Sequence, residues 1–197
     1  MNVNDNINME YEARVMINEE QYVNIRNHYL SSGIPYTELV NENYYFDTPD
    51  LKLSNSHKVL RLRKINDKKY ELTLKIQEEK GCLEINCPLT SIEALKFLEG
   101  GDIPSNKIRE KLLEINIEPK DIKYITDLKT ERLEVKLKDY LLVIDKNYFR
   151  GRIDFNLEVE SDAEEHAKSA LEAIIKPFGI ENKKDYINKA RRAIYNL

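Results

Sequence analysis

Tryptophan is absent from this chain, and cysteine, histidine, methionine, glycine and proline are all scarce. Each shortage excludes something. The two cysteines, Cys82 and Cys87, cannot supply a disulfide framework. An odd spacing on one strand sends them to opposite faces, so a bond between them is not expected either. No Cys/His cluster has zinc spacing. A reducing, cytoplasmic setting is therefore expected. Glycine is too sparse and too scattered to build a Walker-type phosphate loop, so any phosphate site must be made of side chains. No apolar run approaches ~18 residues, which leaves no candidate membrane span. The opening MNVNDNIN is polar and has no hydrophobic signal region; residues 1–8 are expected to fray. Finally, there is no excess of basic charge. The formal net charge is −4, a poor basis for binding duplex nucleic acid.

What is present is charge of both signs, at 34% of 197 residues. That length suits one domain over 1–197 with its own core. Period-two patterns predict strands at Tyr11–Val15, Asn43–Phe46, Val59–Ile65, Tyr70–Ile76, Cys82–Cys87, Tyr124–Leu137, Leu141–Asn147 and Asp154–Glu160. Asn66-Asp67 reads as a hairpin turn. Helices are expected from an N-cap at Asn18 to Ser31, over Ser91–Leu98, Ser105–Ile115 and Ala163–Phe178, and finally over Lys183–Tyr195 with Ile187, Ala190 and Ile194 as its apolar face. Strands and helices come in runs without regular βαβ alternation, so the fold class is α+β.

The strands carry unusual second faces. Glu10, Glu12 and Arg14 share one face. Arg61 and Arg63 oppose Leu60 and Leu62, and Thr73 and Lys75 oppose Leu72 and Leu74. Arg132, Glu134 and Lys136 oppose Leu133, Val135 and Leu137. Asp145 shares a face with Val143, and Glu158 and Glu160 oppose Leu157 and Val159. One reading is a solvated sheet face of exposed salt bridges. The other closes the sheet, packs the apolar faces outward against helices and lines the interior with charge. A closed interior needs both signs, or ligands that supply the missing one, and both signs are here. Clustered Arg and Lys suit phosphate oxygens. Carboxylates two residues apart on a strand suit a hard cation such as Mg²⁺ or Mn²⁺.

Several of these segments together resemble one family. Glu10-Tyr11-Glu12-Ala13-Arg14 is similar to the N-terminal E-x-E-x-K strand of the CYTH superfamily, the triphosphate tunnel metalloenzymes. Asn43-Tyr44-Tyr45-Phe46-Asp47-Thr48-Pro49 with Leu60-Arg61-Leu62-Arg63 resembles its YFDT(P)…LRxR segment, and Leu72-Thr73-Leu74-Lys75 its TLK strand. Val143-Ile144-Asp145 and Leu157-Glu158-Val159-Glu160 resemble its late Asp and E-x-E strands, and Lys189 its C-terminal lysine. The resemblance implies an eight-stranded antiparallel tunnel barrel with flanking helices. It implies metal-dependent hydrolysis of a triphosphate-containing small molecule, inorganic triphosphate or short polyphosphate first. A class IV adenylyl cyclase, a nucleoside triphosphatase and a non-catalytic polyphosphate- or nucleotide-binding module are the alternatives. Thiamine triphosphate ranks last, because a cationic ring favours a Trp platform.

By the same resemblance Glu10, Glu12, Asp145, Glu158 and Glu160 are metal ligands. Arg14, Arg61, Arg63, Lys75, Arg132, Lys136 and Lys189 contact substrate. Glu10, Glu12, Arg61, Arg63 and Lys75 are the residues implied for catalysis, and Glu84 and Glu134 complete an acidic wall. Arg14 departs from the family's usual lysine; arginine can hold phosphate but cannot be a general base. His28, His57 and His166 lie off the charged faces and are set aside, and Lys183-Lys184 and Arg191-Arg192 are read as solvated helix positions.

Overall fold

The computed structural model describes residues 5–79, 81–182 and 186–197. Its strands are β1 (Asn6–Ile17), β2 (Tyr36–Asp47), β3 (Lys58–Ile65), β4 (Lys69–Gln77), β5 (Cys82–Leu89), β6 (Lys123–Lys136), β7 (Leu141–Phe149) and β8 (Arg152–Ser161). They form a closed antiparallel barrel in the order β1-β5-β4-β3-β2-β6-β7-β8. Helices α1 (Glu19–Ser31), α2 (Lys52–Asn55), α3 (Ser91–Leu98), α4 (Asn106–Glu114), α5 (Glu164–Ile175) and α6 (Lys189–Tyr195) complete the chain with two short 3₁₀ turns. The α+β class and the eight-stranded barrel expected above are what the structure shows.

Two compact units make up the chain. The first holds Asn41–Leu128, Lys189–Leu197 and the described residues up to Met9. Its apolar core joins Phe46, Leu60, Leu62, Leu72, Leu74, Ile85 and Cys87 of the strands to Ala94, Phe97, Ile108 and Leu112 of α3 and α4. The second holds Glu10–Val40 and the described part of Lys129–Asn188. Its core joins Val15, Leu133, Val135, Leu142, Ile144, Leu157 and Val159 to Ile25 and Tyr29 of α1 and Ala167, Leu171 and Ile174 of α5. In each unit the helices cover the apolar strand face, so the charged face is the one that lines the barrel.

Local chemistry sets the element ends. Asn18 accepts from Gln21 N at 2.8 Å while Gln21 Oε1 accepts from Asn18 N at 3.0 Å, a capping box that starts α1. Thr90 and Glu93 do the same for α3, and Ser105 caps α4. Asn66 and Asp67 both take positive φ, a conformation Asn and Asp tolerate, in a three-residue loop over 66–68 that sets Ile65 opposite Lys69.

The buried carboxylate of Asp47 ties down the turn after β2. It accepts from Thr48 N, Leu53 N, Ser54 N and Ser54 Oγ at 2.6–2.9 Å. These bonds hold Leu51 at φ 57°, a left-handed conformation that costs a branched residue about 1–2 kcal/mol.

Several boundaries differ from the sequence reading. Residues 6–8 are not a frayed end: β1 begins at Asn6, anchored because Ser105 Oγ donates to Asp5 Oδ2 at 3.0 Å and Lys107 Nζ to Asp5 O at 3.2 Å. Residues 1–4 lie outside the described residues. β2 starts seven residues earlier than expected, at Tyr36. None of its first five residues is buried, so no alternation announces them. The α2 turn was not anticipated; Asp47 creates it. Helix α5 gives way to a 3₁₀ turn over Lys176–Phe178, since Pro177 supplies no N–H. The last helix begins at Lys189, not at Lys183. Ile187 precedes it and is exposed, and Asn188 is a residue type favoured just before a helix. Lys183 and Lys184 lie outside the described residues.

Cys82 and Cys87 are both buried. Burial first, and then the nearby Asp5 carboxylate, push the Cys87 thiol up to about 12. Only the thiolate reacts, and at pH 8 a thiol of this kind is ionised to about one part in ten thousand. Iodoacetamide at pH 8 is therefore expected to leave Cys87 unmodified in the folded protein and to label both cysteines in urea. Stoichiometric native labelling of Cys87, read by mass spectrometry, would contradict this environment.

Candidate functional site

In the first unit, cross-strand register builds three polar rows on the barrel-lining face. The central row is Tyr45, Arg61, Thr73 and Asn86. Asn43, Arg63, Glu71 and Pro88 flank it on one side, and Val59, Lys75 and Glu84 on the other. Arg61, only 9% exposed, is the unusual member. Its Nη2 donates to Thr73 Oγ1 at 3.4 Å, and its buried Nε has no acceptor. No carboxylate pairs with it among the described residues. Arg63 Nε donates to Asn43 Oδ1 at 3.0 Å, and Asn43 Nδ2 in turn donates to Leu128 O at 3.1 Å. Lys75 is ion-paired with Glu84.

The second unit has its own rows: Met16, Asn156, Asp145 and Arg132; Arg14, Glu158, Val143 and Glu134; Glu12, Glu160, Leu141 and Lys136. Carboxylates outnumber cations here. Arg132 is fully committed: Nε and Nη2 reach Asp145 Oδ1 and Oδ2, both at 2.9 Å. Nη2 also reaches Glu158 Oε2 at 3.4 Å, and Glu134 lies 3.6 Å from Nη1. Burial alone would lower the Arg132 pKa. The Asp145 and Glu158 carboxylates reverse that and hold the guanidinium well above its ordinary range. Arg14 is ion-paired with Glu12 and lies 3.4 Å from Glu158, its guanidinium over the Tyr186 ring. Glu12 and Glu160 stand directly opposite each other, a like-charge pairing that disfavours the sheet unless a cation offsets it.

Within each unit the strand residues named from sequence thus share the barrel-lining face. Lys136 sits exposed at the end of β6. Lys189 opens α6, half-buried, in the first unit. One reading is corrected: Arg192 is not a solvated helix position but is buried, at 5% exposure. It follows Lys189 at i+3, on the same helix face.

Amides share the parity of these charges on the barrel-lining face. Asn147 Nδ2 donates to Asp154 Oδ1 and Asn156 Oδ1, each at 2.8 Å, and Thr130 Oγ1 donates to Asn147 Oδ1 at 2.9 Å. Strand parity was the signal that could have found them. His166 remains set aside. Ser161 Oγ and Asp162 Oδ1 both approach its Nδ1, so the cluster lacks the two-nitrogen relay of a catalytic triad.

The donor set of the second unit is all oxygen: Glu10, Glu12, Glu158 and Glu160 with Asp145 behind them. Among the described residues no three such side chains are drawn together as a preformed cage. Glu12 already has Arg14 as a partner, but carboxylates outnumber cations across these rows; a hard divalent cation would offset that excess, and carboxylates of this kind suit Mg²⁺ or Mn²⁺ better than zinc. The residues fit such an ion.

Comparison with known proteins agrees with this arrangement. The model of the CYTH domain family matches residues 8–193. A Bacillus subtilis protein named "Putative triphosphatase YjbK" is 28% identical over 172 residues, 87% of each chain. A Bacillus halodurans structure described as "a putative adenylate cyclase" superposes with a TM-score of 0.85 at 28% identity, covering 94% of this chain and 97% of that one. A Hippeastrum structure, described as a "putative adenylyl cyclase" with a dominant triphosphatase activity, superposes at 0.77 and 18% identity over 95% of this chain and 96% of its own. At that identity the likeness is one of fold.

Proposed function

This chain belongs to the CYTH domain family, and on that premise we propose that it hydrolyses a triphosphate-type substrate, inorganic triphosphate or a short polyphosphate, with a divalent metal. One observation carries the reading. Arg61 is a buried cation with no carboxylate partner and an unused Nε donor among the described residues. A buried charge is costly unless it is paired, so the site expects an anion, and a guanidinium suits phosphate oxygens.

In this reading Arg61, Arg63 and Lys75 hold the phosphate chain, with Arg14, Lys136 and Lys189 as further contacts. Glu10, Glu12, Glu158 and Glu160 would hold Mg²⁺ or Mn²⁺, which when bound neutralises phosphate charge and acidifies water. Arg132 keeps Asp145 and Glu158 oriented through its bidentate pair, and Glu84 and Glu134 complete the acidic lining. Water attacks the terminal phosphoryl group as the bridging P–O bond breaks, its proton passes to a phosphate oxygen or to solvent, and orthophosphate and the shortened phosphate leave. Arg14 cannot take the water's proton, because it stays charged. What the chain supplies is positioning and fixed charge.

Purified protein is expected to release phosphate from triphosphate with Mg²⁺ or Mn²⁺, to lose that activity in excess chelator and to regain it when metal is restored. Full activity in chelator would sink the metal assignment. The likeness to the Bacillus halodurans structure described as a cyclase makes nucleotide cyclisation the second reading. Cyclic AMP and pyrophosphate from ATP, without phosphate release from triphosphate, would favour it. Binding without turnover would leave a binding module.

A further inference from the structure

We infer that Thr73 and Asn86 are positioning residues of the candidate site: a hydrogen-bonded relay through them fixes Arg61 and, by way of Glu84, Lys75. All five residues lie on the barrel-lining face of the first unit, in adjacent rows of β3, β4 and β5.

The donors point in one direction along this wall. Thr73 has a single hydroxyl proton and donates it to Asn86 Oδ1 at 2.8 Å. Its oxygen lone pairs are then turned to Arg61 Nη2, which donates at 3.4 Å. With Asn86 Oδ1 engaged, the amide has one orientation, and Nδ2 donates to Glu84 Oε2 at 3.3 Å. Glu84 in turn pairs with Lys75. Reversing the amide would set its N–H₂ against the Arg61–Thr73 side and its oxygen against a carboxylate, so the chain of donors is self-consistent only as found.

Packing does not require this arrangement. Thr73 is fully buried, and valine would occupy the same volume without a hydroxyl to satisfy. The hydroxyl earns its place by what it orients. Among the described residues it is the acceptor that meets the Arg61 guanidinium, whose Nε is left without one. Without Thr73 Oγ1, no hydrogen-bond acceptor among the described residues defines the rotation of that fork. A phosphate-gripping group that wanders by about 1 Å can cost on the order of a hundredfold in rate.

The kinetic part of this inference rests on the triphosphatase reading; the ordering of Arg61 does not. The test therefore measures both. Nitrogen-15 relaxation at Arg61 Nε, in the absence of substrate, reports side-chain order. In Thr73→Val that order is expected to fall, and in Thr73→Ser to return. For triphosphate, Thr73→Val is expected to lower kcat about tenfold or more with a smaller change in KM, and Thr73→Ser to recover most of it. Asn86→Ala, which keeps the Thr73 hydroxyl but removes its acceptor, is expected to show an intermediate loss of both. Melting temperatures within about 3 °C of the wild type separate these effects from simple destabilisation. Unchanged Arg61 order in both Thr73→Val and Asn86→Ala would overturn the inference, as would kcat within twofold of wild type in both. If the wild type hydrolyses no triphosphate, the functional reading fails and the relaxation measurement alone decides the relay.

Discussion

Replacing Arg61 by alanine is expected to lower kcat/KM for triphosphate by about two orders of magnitude, the loss seen when one preorganised donor is removed from a charge-developing site. Arg61 is already desolvated, at 9% exposure, so the cost of stripping water from the guanidinium falls in folding and not in the reaction. Its Nε is unspent. As negative charge shifts toward the leaving phosphate, this donor can stabilise it without reorganising. Arg63, two residues along the same strand, stands roughly 6.5–7 Å away along the chain, a spacing that lets the pair reach oxygens of neighbouring phosphoryl groups. Arg61→Lys should recover only part of the loss, because the ammonium restores charge without the planar fork. Alanine also removes an unpaired buried charge, so the folded state should be no less stable, and a urea melt should show that. Near-normal turnover in Arg61→Ala would remove the residue from the site and weaken the phosphate assignment with it.

Strand parity made much of this legible. Leu60-Arg61-Leu62-Arg63 and Leu157-Glu158-Val159-Glu160 each announce a charged face opposite an apolar one, and a closed barrel leaves that face only one direction to point. Parity does not say which charge meets which. Arg61 and Arg132 look alike in sequence, each beside a leucine on a period-two strand. In the fold, register sets Arg61 opposite Thr73 and Arg132 opposite Asp145. That register follows from hairpin turns and strand lengths that local pattern does not encode. Asn86, Asn147 and Asn156 escaped notice because neutral amides look like ordinary strand-surface residues until burial is known. The first five residues of β2 escaped for the opposite reason: none of them is buried, so no apolar alternation marks them. Arg192 shows the limit of composition, since an arginine pair on a short helix reads as solvated although one member is buried.

The contrast between the two arginines gives the largest expected effect on stability. Arg132 is buried and makes a bidentate pair with Asp145, which is itself wholly buried. Arg132→Ala would remove the guanidinium that offsets the desolvation of that carboxylate, and one of the cations beside Glu158. Removing one partner of a buried pair typically costs about 3–5 kcal/mol, a large part of the stability of a domain this size. Chemical denaturation should show a loss of that order. Replacing both partners, Arg132→Met with Asp145→Leu, should recover most of it, since a buried ion pair contributes little net stability over apolar residues of similar volume. The double-mutant cycle separates the two roles open to Arg132. If its work is to hold Asp145 and Glu158, the pairwise coupling will be large and the single variant will lose stability before it loses substrate affinity in its folded fraction. If Arg132 instead binds phosphate directly, the coupling to Asp145 will be small and KM for triphosphate will rise in a variant that melts normally. The geometry supports the first outcome, because Nε and Nη2 are already spent on carboxylates at 2.9 Å.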